Sequence, residues 1–377
     1  MRACESSAST GAASATPREP EAADAATTET LRPHAPTCYV GARVHVFLTG
    51  IAGFLGSHLA DRLIAAGHRV SGNDTLIGGY RDNVPREATF HEIDCCDLDA
   101  MTRALEGVDV VVHTAAAAYE GLSVFSPALV VQNNVQASVS TFTAAIRRRV
   151  RRVVHCSSMS RYGDNPIPFT EDMPVRPRDP YAIAKVAAEQ LLVNLAQTHG
   201  FEHCIAIPHN IIGARQKYDD PFRNVASIMA NLMLQGRQPI VYGDGSQMRC
   251  FSPIGDVVGC LERLVIGDDV DGLVVNVGPD DGFITILELA ERLARVIGFS
   301  PLEPIFVEPR PCEVKLATCS AALAREKLGY VAQTSLDEGL RDIVAFIRAR
   351  GPRPFTYHLP VEIVSERTPR TWKDRLF

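Results

Sequence analysis

The sequence predicts an α/β protein, a doubly wound parallel sheet followed by a smaller C-terminal α/β substrate lobe. Three observations predict it. A short apolar run at 44–48 feeds a turn in which Gly50, Gly53 and Gly56 fall three apart, and an apolar-periodic helix through Leu59, Leu63 and Ile64 starts inside that turn. Strand-length apolar runs then alternate with helical stretches through the first half of the chain, which demands crossovers and a sheet covered on both faces. Beyond residue 208 the signals shorten while glycine and proline stay frequent, as in a second lobe. The first strand, its glycine turn and the helix aim backbone N–H groups and the positive end of a helix dipole at one point, which suits a diphosphate. That is the opening of a Rossmann-type dinucleotide-binding domain.

Bulk properties agree with this class. The 377 residues, 46% of them hydrophobic, suffice for a large core and two lobes. A formal charge of −6 carries no footprint for nucleic acid or an anionic membrane. No run of about eighteen apolar residues suggests a membrane span. The ten cysteines include no Cys-x-x-Cys pair, as expected of reduced thiols in a cytoplasmic protein, and no His and Cys cluster has metal-ligand spacing.

Residues 1–41 are rich in Ala, Ser, Thr, Glu and Pro and read as a disordered tail. Glu5, Glu19, Glu21, Asp24 and Glu29 argue against a transit peptide. The dinucleotide-binding domain is expected over 42–208, with a return strand near 273–278. Its second strand, near 68–72, ends in Asn73 and Asp74, where a carboxylate accepts hydrogen bonds from a ribose diol and repels a 2′-phosphate, favouring NAD over NADP. A loop over 76–85 follows, then a strand around 89–93, the Asp94-Cys-Cys-Asp97 turn and a helix near 99–106. The run 108–113 reads as a central strand, and the alanines after Thr114 let a ligand approach the backbone at the carboxyl end of the sheet.

A helix over 126–149 leads into six residues, 147–152, of which five are arginine; they complement a helix C-terminus and read as a solvated turn. The strand 153–156 runs into Ser157 and Ser158, and a proline-rich loop follows. Asp179 and Pro180 then start a helix over 181–198 on which Tyr181 and Lys185 share a face. A strand over 204–208 ends the domain. The substrate lobe is expected mainly over 209–352, and 353–377 is a tail without an assigned role.

Ser158, Tyr181 and Lys185 form the candidate catalytic set. A tyrosine with its ordinary pKa of about 10 is a poor base, and lowering it by about three units takes roughly 4 kcal/mol of preferential phenolate stabilisation. A neighbouring ammonium and an oxidised nicotinamide supply that in a water-poor cleft. Ser158 would hold the substrate hydroxyl whose proton the tyrosine takes while hydride leaves the carbon.

The stretch Thr49-Gly-Ile-Ala-Gly-Phe-Leu-Gly56, the Asp94 and Asp97 pair, His113-Thr-Ala-Ala116, Ser157-Ser158 ahead of Tyr162, and Tyr181-x-x-x-Lys185 together resemble the extended short-chain dehydrogenase/reductase family. Within it the chain is most similar to nucleotide-sugar epimerases of the UDP-glucose 4-epimerase type, over about 44–347. The resemblance implies an NAD cofactor held by Gly50, Gly53, Phe54, Leu55, Gly56, Asp74, Asp94, Ala115, Tyr181, Lys185 and Pro208, with Asp94 at the adenine and Asn134 as a structural asparagine. It implies a nucleotide-sugar substrate held by Glu120, Asn210, Asn224, Arg249, Arg310 and Glu313, with Asn210 and the two arginines on the diphosphate.

Dehydratases and uronate decarboxylases of the family carry an acid just after the active-site Ser or Thr. Met159 and Ser160 stand there, so the resemblance favours redox-neutral 4-epimerisation through a transient 4-keto sugar with NAD retained throughout. A dehydratase or 4-keto reductase is the alternative within the family, and a non-catalytic dinucleotide sensor is the alternative outside enzymes. Gly255, Ser320 and the loop 117–121 depart from the family pattern, and Glu120 in that loop either pairs on the surface or acts as an extra acid or base. Ala317, where some relatives carry a bulkier residue, would leave room for an N-acetyl group. A homodimer through the helices 126–149 and 181–198 is also implied, with Val186, Leu191, Leu192 and Leu195 serving either that surface or the core.

Overall fold

The computed structural model describes residues 43–377, and the tail expected over 1–41 lies outside the described residues. Seven parallel strands form one sheet: β1 (His45–Thr49), β2 (Arg69–Asn73), β3 (Thr89–His91), β4 (Val110–His113), β5 (Arg152–Cys156), β6 (Glu202–Pro208) and β7 (Val274–Val277). Their order is β3-β2-β1-β4-β5-β6-β7. Each expected strand is present, shifted by a residue or two at its ends. The order reverses between β1 and β4, so the carboxyl ends of these two strands open a crevice.

Side chains alternate between two apolar layers, as the strand period requires. Val46, Leu48, Val110, Val112 and Val154 pack with Leu59 and Leu63 of the helix Phe54–Ala65 and with Val257, Leu261 and Leu264 of Ile254–Ile266. Phe47, Val111, Val153 and Ile205 pack on the other face with Phe142 of Ala137–Arg147 and Leu192 of Pro180–His199. The helix Ile254–Ile266 therefore serves the sheet although it lies in the stretch expected to belong mainly to the substrate lobe.

The helix expected over 126–149 is interrupted. It runs as Pro127–Val131, a π-helical turn Gln132–Gln136 and Ala137–Arg147. Within that turn Asn134 Nδ2 donates to the carbonyls of Val130 at 2.9 Å and Ala117 at 3.2 Å, which pins the loop after β4.

The arginine run is not a solvated turn throughout. Arg151 and Arg152 are buried, face Glu202, and Arg152 donates to the carbonyls of Leu264 and Val265 at 3.1 and 2.8 Å. Those carbonyls end the helix Ile254–Ile266 and lack partners within it. The correction has a simple cause: the helix that Arg152 completes lies more than a hundred residues away.

In the smaller lobe, helices Val225–Leu234, Ile286–Ile297 and Leu336–Arg350 share a third apolar layer through Met229, Leu289, Leu293, Leu340 and Ile343. Thr285 and Ser335 start two of them with capping boxes closed by Glu288 and Glu338. The stretch 352–377 then brings Tyr357, Leu359 and Trp372 into a cluster with Tyr119, Phe125 and Phe222. Among the described residues no helix is long and apolar enough to cross a membrane, and no group of His, Cys, Asp and Glu could hold a metal ion.

Candidate active site

One cleft runs from the crevice between β1 and β4 into the smaller lobe, and all the catalytic, cofactor and substrate candidates named from the sequence line it. At its floor Gly50 takes φ +72° and passes so close to the chain after β4 that an added Cβ would sit 3.0 Å from Ala115 Cα. At Gly56 a Cβ would lie 2.3 Å from the Gly50 carbonyl oxygen. Only glycine fits either position. A Cβ on Gly53 would meet the Gly50 oxygen alone, so the rest of the turn opens to the cleft.

The helix Phe54–Ala65 starts there without a side-chain cap, leaving its first N–H groups for a ligand. Asp74 accepts from Ala52 N at 3.1 Å and Leu76 N at 2.7 Å. Burial pushes its pKa up while those donors pull it down. Asp94 accepts from Cys96 N at 2.8 Å. A glycine cradle, an uncapped helix start and a fixed carboxylate past β2 together fit the adenosine diphosphate half of NAD.

Ser158 caps the short turn Met159–Tyr162 after β5, accepting from Ser160 N at 3.2 Å and Ser160 Oγ at 2.9 Å. Its hydroxyl lines the same cleft as the Tyr181 phenol and pulls the phenol's pKa down. Asp179 caps Pro180–His199 by accepting from Ala182 N at 2.9 Å, so Tyr181 sits in the first turn and Lys185 one turn on, on the same side. Lys185 Nζ donates to the Cys156 carbonyl at 2.8 Å, and burial pushes its pKa down to about 8.

Several groups act on the phenol. Burial pushes its pKa up; the Ser158 hydroxyl pulls it down, the charges of Glu120 and Asp179 push it up again, and Arg223 pulls it down. Burial dominates because a phenolate loses its hydration here. An acidic Tyr181 therefore needs the positive charges of Lys185 and of an oxidised nicotinamide acting together. Behind this set, Glu189 pairs with Arg161 at 3.3 Å, hydrogen-bonds Ser157, and is buried with it.

The opposite wall carries the two arginines. Arg249 donates to the carbonyls of Met248 at 2.8 Å, Lys315 at 3.0 Å and Val314 at 2.5 Å. Arg310 lies 4.6 Å over the Tyr242 ring and pairs with Glu313 at 2.7 Å. Asn210 donates to Cys250 O at 3.0 Å, and Asn224 caps Val225–Leu234 by accepting from Ala226 N at 2.9 Å, so both asparagines spend part of their bonding capacity on the fold.

Glu120 opens the short helix Glu120–Ser123 and is exposed to the cleft. Its carboxylate has no hydrogen-bond or ion-pair partner among the described residues, so the surface ion pair considered from the sequence does not form. Burial in the cleft, then Asp179, push its pKa up against the pull of Arg249 and Arg310. Ala317 is buried in the apolar layer that includes Phe169 and Tyr162, and it pairs in register with Arg249, which lines the cleft.

Sequence reasoning missed Arg223. It pairs with Asp220 at 3.3 Å, lies 4.4 Å over the Tyr119 ring, and reaches Gly78, where an added Cβ would be 2.1 Å from its Nη2. An arginine of the smaller lobe thus touches the loop beyond Asp74. The Gly78-Gly79 pair was a visible signal of close approach, but nothing local names what approaches.

Comparison with known proteins supports the same assignment. The sequence profile of the NAD dependent epimerase/dehydratase family matches residues 46–278. A UDP-glucose 4-epimerase of Mycolicibacterium smegmatis is 35% identical over 315 residues, covering 81% of this chain and 99% of that protein. A solved UDP-glucose 4-epimerase of Thermotoga maritima with UDP-glucose has a TM-score of 0.76 and 31% identity, covering 81% of this chain and 99% of that one. A UDP-N-acetylglucosamine 4-epimerase of Methanobrevibacter ruminantium, in complex with UDP-N-acetylmuramic acid, has a TM-score of 0.76 and 28% identity over 82% of this chain and 99% of that one. With its parallel sheet, its glycine cradle for NAD and its Ser158, Tyr181 and Lys185 in one cleft, the chain belongs to the NAD dependent epimerase/dehydratase family.

Proposed function

We propose that this protein epimerises a nucleotide-diphosphate sugar, a UDP-hexose, at C4 through a transient 4-keto sugar. The observation that carries the proposal is Ser158, Tyr181 and, one turn on, Lys185 sharing a cleft with Arg249 and Arg310. The relatives named for UDP-glucose 4-epimerisation support the choice of sugar and position.

Bound NAD supplies the hydride acceptor that later becomes the donor. Tyr181 takes the proton of the C4 hydroxyl and returns it, Ser158 holds that oxygen, and Lys185 compensates the phenolate charge. Arg249 and Arg310 hold the diphosphate, and Glu313 orients Arg310. Anchored firmly through its nucleotide, the 4-keto sugar can then turn its other face to the cofactor. Asp74 and the glycine turn keep the cofactor in place, and no acid follows Ser158 to drive elimination.

One observation favours a second reading, water elimination from the same ketone: the unpaired Glu120 carboxylate in the cleft, whose charge acts on Tyr181. Incubating the protein with a panel of UDP-, GDP- and dTDP-sugars and following products by NMR separates the two. Interconversion of 4-epimers without NADH consumption is the expected result. Water loss assigns the dehydratase reading, and net consumption of NADH overturns both.

Val131 and Ile183 are exposed, at 46% and 55%, on helices Pro127–Val131 and Pro180–His199, which supports a homodimer through these helices. Val186 and Leu192 are buried within the chain and belong to its core. Light scattering on the wild type and Ile183→Asp tests the dimer, which the substitution should split. The free cysteines among the described residues fit a reducing cytoplasm.

A further inference from the structure

The stretch 352–377 crosses between the two sides of the cleft. On the cofactor side, Ser126 Oγ donates to Pro360 O at 2.7 Å and Ile363 N donates to Phe125 O at 2.8 Å. Glu362 accepts there from Ala128 N at 2.9 Å and Leu129 N at 2.8 Å, satisfying the start of Pro127–Val131. On the other side, Asn231 Nδ2 donates to Arg353 O at 2.8 Å, Arg237 Nη2 to Leu376 O at 2.8 Å, and Trp372 Nε1 to Pro221 O at 3.4 Å. Between these anchors Trp372 packs on Phe222 and Phe125, with ring centroids 5.4 and 6.0 Å away, and lines the cleft with Arg310 and Tyr242.

Two arrangements place this stretch beside Arg310. The hydroxyls of Thr371 and Tyr242 are hydrogen-bonded, and the Tyr242 ring lies under the Arg310 guanidinium. Trp372 Cη2 and Arg310 Nη1 also both border Gly121, at 3.5 and 3.2 Å from where its Cβ would be. A long arginine side chain loses rotamer freedom when it grips a ligand, so holding it beforehand removes that cost from binding.

We propose that the stretch 352–377 is a wall of the nucleotide-sugar site, with Trp372 a binding residue and Thr371 a positioning residue that sets Arg310 for a nucleoside diphosphate. This rests on the proposed function. Its chemistry requires a ligand with two linked phosphates and an organic group large enough to reach the Trp372 wall.

The test is calorimetric titration of the full-length, NAD-loaded protein with UDP, GDP and dTDP, and then with the monophosphate of whichever binds. Trp372→Ala should weaken the diphosphate by about tenfold or more, Thr371→Val by roughly three- to tenfold, and Trp372→Phe should recover most of the loss. The Thr371→Val loss should be larger for the diphosphate than for the monophosphate, with NAD content unchanged. Should Trp372→Ala not fold, Thr371→Val decides alone. Diphosphate affinity within about threefold of wild type, or an equal Thr371→Val loss on diphosphate and monophosphate, overturns the inference alone. A wild type that binds none of the three diphosphates overturns the proposed function and this inference together.

Discussion

Lys185 Nζ donates to the Cys156 carbonyl at 2.8 Å, which ties the ammonium to the end of β5 one helical turn from Tyr181. The anchor keeps the cation at the place where a phenolate would form. It also exposes the cation to desolvation, which is why its pKa falls from 10.5 to about 8.

The epimerisation rate should therefore fall as pH rises through about 8. Above that value Lys185 loses its proton, and the phenolate loses its compensating charge. Stability runs the other way: between about 8 and 10.5 the unfolded lysine binds more protons than the folded one, so ΔG of unfolding rises with pH in that window. Rates measured from neutral to alkaline pH, beside the stability difference between Lys185→Met and wild type, check both. That difference should change in favour of wild type as pH rises, and a rate that stays flat removes Lys185 from the role given to it.

Tyr181→Phe should lower kcat by about 100-fold or more, since general acid–base groups contribute roughly 10²- to 10⁴-fold. NAD content and melting temperature should stay near wild type, because the ring packing is kept. An undiminished rate would remove Tyr181 as the proton-transfer group.

Asp74→Ala should weaken NAD about tenfold and narrow the preference over NADP, since the carboxylate is both a hydrogen-bond acceptor and a negative charge. Asp74→Asn removes the charge and leaves an oxygen for Ala52 N and Leu76 N, so it should keep more NAD affinity than the alanine variant. Fluorescence titration with both dinucleotides reads the difference, and equal behaviour of the two variants would assign the effect to the lost charge and none of it to the loop hydrogen bonds.

Glu120→Gln should leave C4 inversion running while lowering kcat/KM by about tenfold, the loss of roughly one charge-assisted hydrogen bond to the sugar. Steady-state kinetics on the active nucleotide sugar measures it. An unchanged kcat/KM would place the carboxylate away from bound substrate.

Glu189→Ala should destabilise the protein by about 3 kcal/mol, because it strands Arg161, only 11% exposed, without its partner. Burial pushes the Glu189 pKa up, while Arg161, Ser157 and Lys185 pull it down. Urea denaturation of the two proteins gives the difference, and a loss below about 1 kcal/mol would mean that the pair is no better than a surface one.

Nearly all of the cofactor half was legible in chain order, because its signals are local. The glycine turn, the capped helix at Asp179 and the Tyr181 and Lys185 face are each decided within a few residues. The substrate side was legible only through resemblance, and imperfectly. Arg249 and Arg310 line the cleft as the resemblance implied, whereas Ala317, paired in register with Arg249, is buried in an apolar layer. Burial also acts on the Tyr181 phenol, an influence of which a sequence carries no measure.

By itself the sequence determined the strand and helix order, the glycine cradle and the tyrosine and lysine spacing, since backbone sterics and side-chain period act over one strand or one turn. Tertiary structure alone decided that Arg223 reaches Gly78, that Arg161 is neutralised by Glu189, and that Trp372 closes the cleft beside Arg310. Those partners come together through the packing of separate elements, which leaves no periodic trace along the chain.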